Sequence, residues 1–209
     1  MIVIPLADVL STGNLRKIVD CVRDGGVIAY PTDTLYGLGG NFLSAAAHTA
    51  VDRLKGRRGA PYSAAVGDWS MLESLVCGIP NGLRERLQGL LPGKFTFLFA
   101  PGPAVDPALL KGSAKIGVRM PGLKPLLDLI VRLGVPLIST SANRSGRPPL
   151  QDPALIAREF PDLDILIDAG ALAPSRGSTV VDFTADPPAI VRPGDDEPKV
   201  RSILGGARV

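Results

Sequence analysis

Val135 to Gly146 reads VPLISTSANRSG, an apolar run that delivers Ser139, Thr140, Ser141, Asn143 and Ser145 to its far end. The spacing predicts a buried strand over Val135 to Ser139 directly after a helix over Pro125 to Leu133, and this helix-to-strand step is the repeating unit of an α/β layer protein. Short hydroxyl and amide side chains crowded beyond a strand end hydrogen-bond phosphates or amino acids without excluding them sterically. A capped turn that satisfies its own backbone is the structural alternative.

Working outward, the same alternation recurs. Asn14 to Asp24 carries Leu15, Ile18, Val19 and Val22 at helical spacing and ends on Gly25-Gly26, and a buried strand follows at Val27 to Tyr30. Ser44 is placed to cap a helix through Leu54, and Asp152 to cap one over Pro153 to Phe160 with proline at its first position. Helices are also expected over Asp68 to Cys77 and Asn81 to Leu91, the latter stopped by Pro92-Gly93. Strands are expected at Ser63 to Gly67, Phe95 to Ala100, Ile116 to Arg119, Asp164 to Asp168, Ser178 to Phe183 and Ala189 to Arg192. The crowding of strands towards residue 192 argues for a twisted, mixed sheet flanked by helices, not a purely parallel one.

Composition bounds the chemistry. The 209 residues, with 45% hydrophobic and 21% charged, suit one globular domain with some elaboration. Gly 24 and Pro 20 are spread among turns and mark no linker. Cys21 and Cys77 have no near partner, so a disulfide scaffold or a paired-cysteine metal site is not expected, and a reducing, cytoplasmic setting fits. His48 is the sole histidine, which disfavours zinc and a Ser-His-Asp triad; on its predicted helix it reads as an ordinary half-exposed residue. No apolar run reaches the ~18 residues of a membrane span, and MIVIPLADVL lacks a cationic leader. Residues 1–149 hold 17 Lys/Arg against 10 Asp/Glu, while 150–209 hold 6 against 10. That asymmetry is either a solvated surface or an anion site.

Two glycine motifs fail on spacing. Gly37-Leu38-Gly39-Gly40 lacks the third glycine of a dinucleotide fingerprint, and GLLPGKF at Gly89 to Phe95 has the wrong spacing for a P-loop and Phe95 where a hydroxyl belongs. Other stretches carry chemistry. Tyr30 to Leu38, YPTDTLYGL, is a strand entering a hydroxyl-rich turn, able to bind a polar ligand or to satisfy itself. In LKGRR, Lys55 and Arg57 stand two apart on a stretch expected to be non-helical; they either serve the helix dipole or clamp phosphate oxygens. Arg119, Ser178 and Arg192 sit at three further strand ends.

Taken in order, YPTDTLYGL, KGR, GVRMP, STSANRSG, STVVDF and VRPG resemble the YrdC/YciO/Sua family of threonylcarbamoyl-AMP synthases over about residues 14 to 194. The resemblance implies a single α/β domain whose twisted mixed sheet surrounds a basic cavity, over residues 1–194, with 195–209 as a short tail. It implies synthesis of threonylcarbamoyl-AMP from L-threonine, bicarbonate and ATP, with release of pyrophosphate and Mg²⁺ carried by ATP, and no metal site in the protein. It also implies a tRNA threonylcarbamoyl-transfer complex downstream, with tRNA or double-stranded RNA as further partners. Carried over by position, Lys55, Arg57, Ser141 and Asn143 form the catalytic motif pairs. Thr34, Arg119, Ser139 and Ser178 contact threonine, and Arg57, Lys115, Ser141 and Arg192 contact ATP. Arg58, Pro61, Val66, Lys115 and Pro149 depart from the common pattern, and PGKFTF resembles the YciO branch. A YciO-like protein that binds RNA or nucleotide without synthase activity is therefore the rival expectation.

Overall fold

The computed structural model describes residues 1–57 and 59–205; Arg58 of the LKGRR run and the last four residues of the expected tail lie outside them. In chain order the elements are β1 (Ile2–Pro5), α1 (Thr12–Arg23), β2 (Ile28–Tyr30), β3 (Gly37–Gly39), α2 (Ala45–Lys55), β4 (Ser63–Ala65), α3 (Trp69–Leu75) and α4 (Asn81–Gln88). Then come β5 (Phe95–Phe99), β6 (Ile116–Arg119), α5 (Lys124–Leu133), β7 (Leu137–Ser141), α6 (Pro153–Glu159), β8 (Ile165–Asp168), β9 (Thr179–Asp182), β10 (Ala189–Arg192) and α7 (Glu197–Gly205). The caps read from sequence are made: Ser44 Oγ accepts from the Ala47 N–H at 3.3 Å and Asp152 Oδ1 from the Ala154 N–H at 2.8 Å.

The strands form one mixed sheet in the order β1-β8-β2-β3-β7-β4-β6-β5-β9-β10. Strand β7 is its joint. Ser139 pairs with Ser63 of β4 on one side, and Ser141 pairs with Gly37 of β3 on the other. Helices α1 and α5 cover part of the sheet with Ile18, Val22, Leu126, Leu129 and Ile130, while α2 packs Ala47, Val51 and Leu54 into a second core region. In β5 the period of two is explicit: Phe95, Phe97 and Phe99 enter that region while Thr96 and Leu98 face the opposite side. This division leaves one sheet face free to be polar.

Several expectations shift. The strand expected at Val135 to Ser139 is Leu137–Ser141, so Ser139, Thr140 and Ser141 belong to the ladder and not to the loop. The turn in YPTDTLYGL is followed by β3, two-thirds glycine, because a Cβ at Gly39 would overlap the Ile138 carbonyl and one at Gly37 would press on the Tyr30 ring. The helix expected to Leu91 ends at Gln88. The opening residues, left unassigned in the sequence, form edge strand β1 along β8. Much of the expected short tail is α7, whose Val200 is fully buried. None of the described helices is long and apolar enough to cross a membrane.

Candidate active site

Alternate residues of the central strands converge on one cleft. Ser63 of β4, Thr96 of β5, Arg119 of β6, Ser139 of β7, Ser178 before β9 and Arg192 of β10 line a cavity of about 130 Å³. A second cavity of about 170 Å³ adjoins it, sharing Arg119, Ser178 and Arg192 and adding Thr34, Ser141 and Arg176. Arginine is the sole charged residue type among the described residues lining the two. A wider depression of about 470 Å³ near Glu73 and Arg84 has no such convergence of cations and hydroxyls, so its size alone does not make it the site.

The cleft's groups are held in place. Arg192 Nη2 donates to Ser178 O at 2.9 Å and Ser178 Oγ at 3.0 Å, and Ser178 Oγ lies 2.8 Å from Thr96 Oγ1. Burial and the neighbouring Arg119 charge lower the Arg192 pKa. Arg119 is 7% exposed; its Nη2 donates to Asp33 Oδ1 at 2.8 Å and Thr34 Oγ1 at 3.3 Å, while its buried Nε has no partner. A buried donor without an acceptor is costly in a free protein and marks where a ligand oxygen would be welcome.

The KGR motif behaves differently. Lys55 is the last residue of α2, followed by left-handed Gly56 at φ 64, so the expected non-helical alternation of Lys55 and Arg57 does not hold. The Lys55 ammonium, 3% exposed, donates to Ser141 O at 2.7 Å, Asn143 O at 2.9 Å and Asn143 Oδ1 at 3.3 Å. Ser141 Oγ donates to the same Oδ1, and Asn143 Nδ2 donates to Arg144 O and Arg147 O. Lys55 and Asn143 thus tie the end of α2 to the loop after β7. Burial, followed by the charge of Arg57, lowers the Lys55 pKa to about 8.

Arg57 lies over the Tyr62 ring at 4.9 Å, and its Nε is buried without a partner. The Tyr62 hydroxyl donates to Asp52 Oδ1 at 2.5 Å, and Lys111 Nζ reaches both Asp52 oxygens at 2.6 Å. Burial opposes the Asp52 charge, but the bonds from Lys111 and Tyr62 outweigh it and bring the carboxyl below its ordinary range.

Of the residues expected from sequence, Thr34, Arg119, Ser139, Ser141, Ser178 and Arg192 meet in the cleft. Lys55, Arg57 and Asn143 line neither cavity; Lys55 at the end of α2 and Asn143 in the loop after β7 brace Ser141. Lys115 does not reach either cavity's lining: it is ion-paired to Asp182, which neutralises it. His48, expected half-exposed, is 4% exposed, with Nε2 2.8 Å from Phe42 O and burial lowering its pKa. Sequence reasoning passed over Ser63, Thr96, Asp33 and Arg176. Thr96 was legible as a polar residue on the alternate face of FTFLFA; Ser63 and Arg176 carry no local signal.

The family model Sua5_yciO_yrdC, described as Telomere recombination, matches residues 20–194. A mouse (Mus musculus) protein named threonylcarbamoyl-AMP synthase is 36% identical over 206 residues, covering 92% of this chain and 71% of that one. The crystal structure of P. abyssi Sua5 complexed with L-threonine superposes with TM-score 0.89 at 28% identity, over 98% of this chain. This chain spans 60% of that longer protein. E. coli YciO superposes with TM-score 0.79 at 28% identity, covering 92% of this chain and 94% of that one. With most of its length matched by the family model, the chain belongs to the Sua5/YciO/YrdC family.

Proposed function

We propose that this chain is a threonylcarbamoyl-AMP synthase, using L-threonine, bicarbonate and ATP and releasing pyrophosphate. The observation that carries the reading is the cleft itself, in which three arginines and a ring of short hydroxyls converge and the described lining has no carboxylate. The kinship with proteins of that name supports it.

The chemistry asks for these groups. Threonine's neutral amine forms an N–C bond to the carbon supplied by bicarbonate, and the hydroxide that leaves that carbon takes the amine proton away as water, giving a carbamate; a carbamate oxygen then forms a bond to the α-phosphorus of ATP while the bond to pyrophosphate breaks. Two anions must meet, so fixed positive charge lowers the barrier more than a strong base does. Arg119, with Thr34, Ser139 and Ser178 around it, is assigned to threonine, its guanidinium to the carboxylate. Arg192, Ser141 and Arg57 are assigned to the ATP phosphates. Lys55 and Asn143 act by fixing Ser141 at the end of β7 and the loop that follows it. Lys115 is left out because Asp182 holds it. Among the described residues no three His, Cys, Asp or Glu side chains gather as a metal site, and Mg²⁺ is assigned to the ATP as it arrives. The product is a mixed anhydride suited to a tRNA-modifying transferase, which places the work in a compartment holding tRNA and ATP.

Pyrophosphate release from ATP, measured with and without L-threonine and with and without bicarbonate, tests the reading. Release that needs both is expected. ATP or RNA binding with no threonine stimulation would overturn the reading in favour of a nucleotide- or RNA-binding protein without synthase activity.

A further inference from the structure

Asp33 stands behind the cleft. It lines neither of the two cavities described above but faces a neighbouring one of about 120 Å³ with Lys94 and Asp195. From there its two oxygens do separate work. Oδ1 accepts from Arg119 Nη2 at 2.8 Å, and Oδ2 accepts from the Gly122 N–H at 2.8 Å, so one carboxylate fastens both the guanidinium and the turn that follows β6. The pair is nearly sealed from water, with side-chain exposures of 9% for Arg119 and 11% for Asp33, so it is little screened by salt. The guanidinium is therefore gripped at one nitrogen while Nε is left without a protein acceptor. Arg192 shares the cavity wall, and Asp33 is the carboxylate that reaches Arg119 among the described residues.

We propose that Asp33 is the positioning residue that makes the cleft demand a carboxylate on its amino-acid substrate: it holds Arg119 by Nη2 from outside the cavity and so fixes the orientation in which the guanidinium meets the incoming carboxylate. This rests on the synthase reading above and goes further by naming what sets the substrate class. A guanidinium released from Asp33 would keep only the longer bond to Thr34 Oγ1, and its planar fork would lose the fixed orientation in which a carboxylate matches it. Discrimination against an uncharged analogue should fall, and ATP binding should not.

The experiment is calorimetric binding of L-threonine, L-threoninol and ATP to wild-type protein and to Asp33→Asn, with steady-state KM and kcat alongside. Expected is a rise of about tenfold or more in the Kd and KM for threonine, as for loss of a charged hydrogen bond, with kcat changed less and ATP affinity held within about twofold. The threonine over threoninol preference should shrink by the same factor. In an Arg119→Lys background the added Asp33→Asn change should cost less than about twofold, because the two residues act as one unit. Should Asp33→Asn fail to melt cooperatively, Asp33→Glu, which keeps the charge one methylene too long, takes its place with the same expected selectivity loss. Unchanged threonine affinity, or threonine and ATP affinity falling together, overturns the proposal. Wild-type protein that binds ATP but no threonine overturns the synthase reading itself and Asp33's role with it.

Discussion

Lys55 and Arg119 are both buried cations at the C-terminal ends of their elements, α2 and β6, yet their donors are spent in opposite ways. The Lys55 ammonium makes three hydrogen bonds, one to the carbonyl of Ser141 at the end of β7 and two to oxygens of Asn143 in the loop that follows. Arg119 is gripped at Nη2 and keeps Nε without a partner. Formal charge does not separate scaffold from ligand site; donor accounting does. A cation whose donors are satisfied by the fold shapes the loop, and one with a donor to spare awaits a ligand.

The largest effect should come from breaking the scaffold side. Lys55→Ala leaves Ser141 O, Asn143 O and Asn143 Oδ1 without their shared donor, at a cost of about 3 kcal/mol in stability. It also frees Ser141 to drift; a displacement of about 1 Å costs on the order of 100-fold in rate. Denaturant melts and turnover should therefore fail together. An unaltered melt with lost turnover would move Lys55 to the ligand side of the contrast. Next in size is Arg119→Lys, which keeps the charge but loses the fork: KM for threonine should rise roughly tenfold to a hundredfold, with the melt shifted little by comparison. Joint loss of stability and binding would erase the distinction between the two cations.

Arg57 occupies a middle position, with a buried Nε free of partners but its plane resting on Tyr62, itself fixed by Asp52 and Lys111. Tyr62→Leu removes the ring and should raise KM for ATP by about fivefold to tenfold, the scale of a partly desolvated cation–π contact. Tyr62→Phe keeps the ring and should change it by less than about threefold. If both variants behave alike, the hydroxyl bond to Asp52, not the stacked ring, positions Arg57.

Much of this was legible before any coordinates. Ser44 and Asp152 announced their helices, the strand over Ile116 to Arg119 had the expected bounds, and the polar ends of strands marked the cleft. What was illegible is long-range. That Lys55 would spend its donors 86 and 88 residues away, or that Lys115 would be taken by Asp182, depends on which strands become neighbours, and no local pattern records that. Strand β3 was hidden because its glycines signal a turn, whereas they are there for close backbone approach to Ile138 and Tyr30. His48 was misjudged because packing of Phe42 and Tyr62 around it, at centroid distances of 5.4 Å and 5.8 Å, is a tertiary fact.

The smallest expected effect probes the scaffold cation through its proton. Burial, then the charge of Arg57, brings Lys55 from its ordinary 10.5 to about 8, so between those values the unfolded chain binds a proton that the folded chain has released. Where the unfolded state binds more protons, stability rises with pH, and from pH 8 to 9 this one group contributes about 1 kcal/mol. Cys21 opposes it from pH 9 upward: burial, followed by the charges of Asp164 and Asp24, raises the thiol from 9.0 to about 12, so there the folded chain keeps a proton that the unfolded chain loses. Tyr30 and Tyr62, raised by burial from 10.0 to about 12, add to the decline, so wild-type stability in urea should climb from pH 8 to a shallow maximum between pH 9 and 10 and then fall. Lys55→Met should abolish the climb, and Cys21→Ser should soften the decline while leaving the climb in place. A climb that survives Lys55→Met would mean that Lys55 stays charged beneath its three acceptors, and the contrast between the two cations would then rest on hydrogen-bond partners alone.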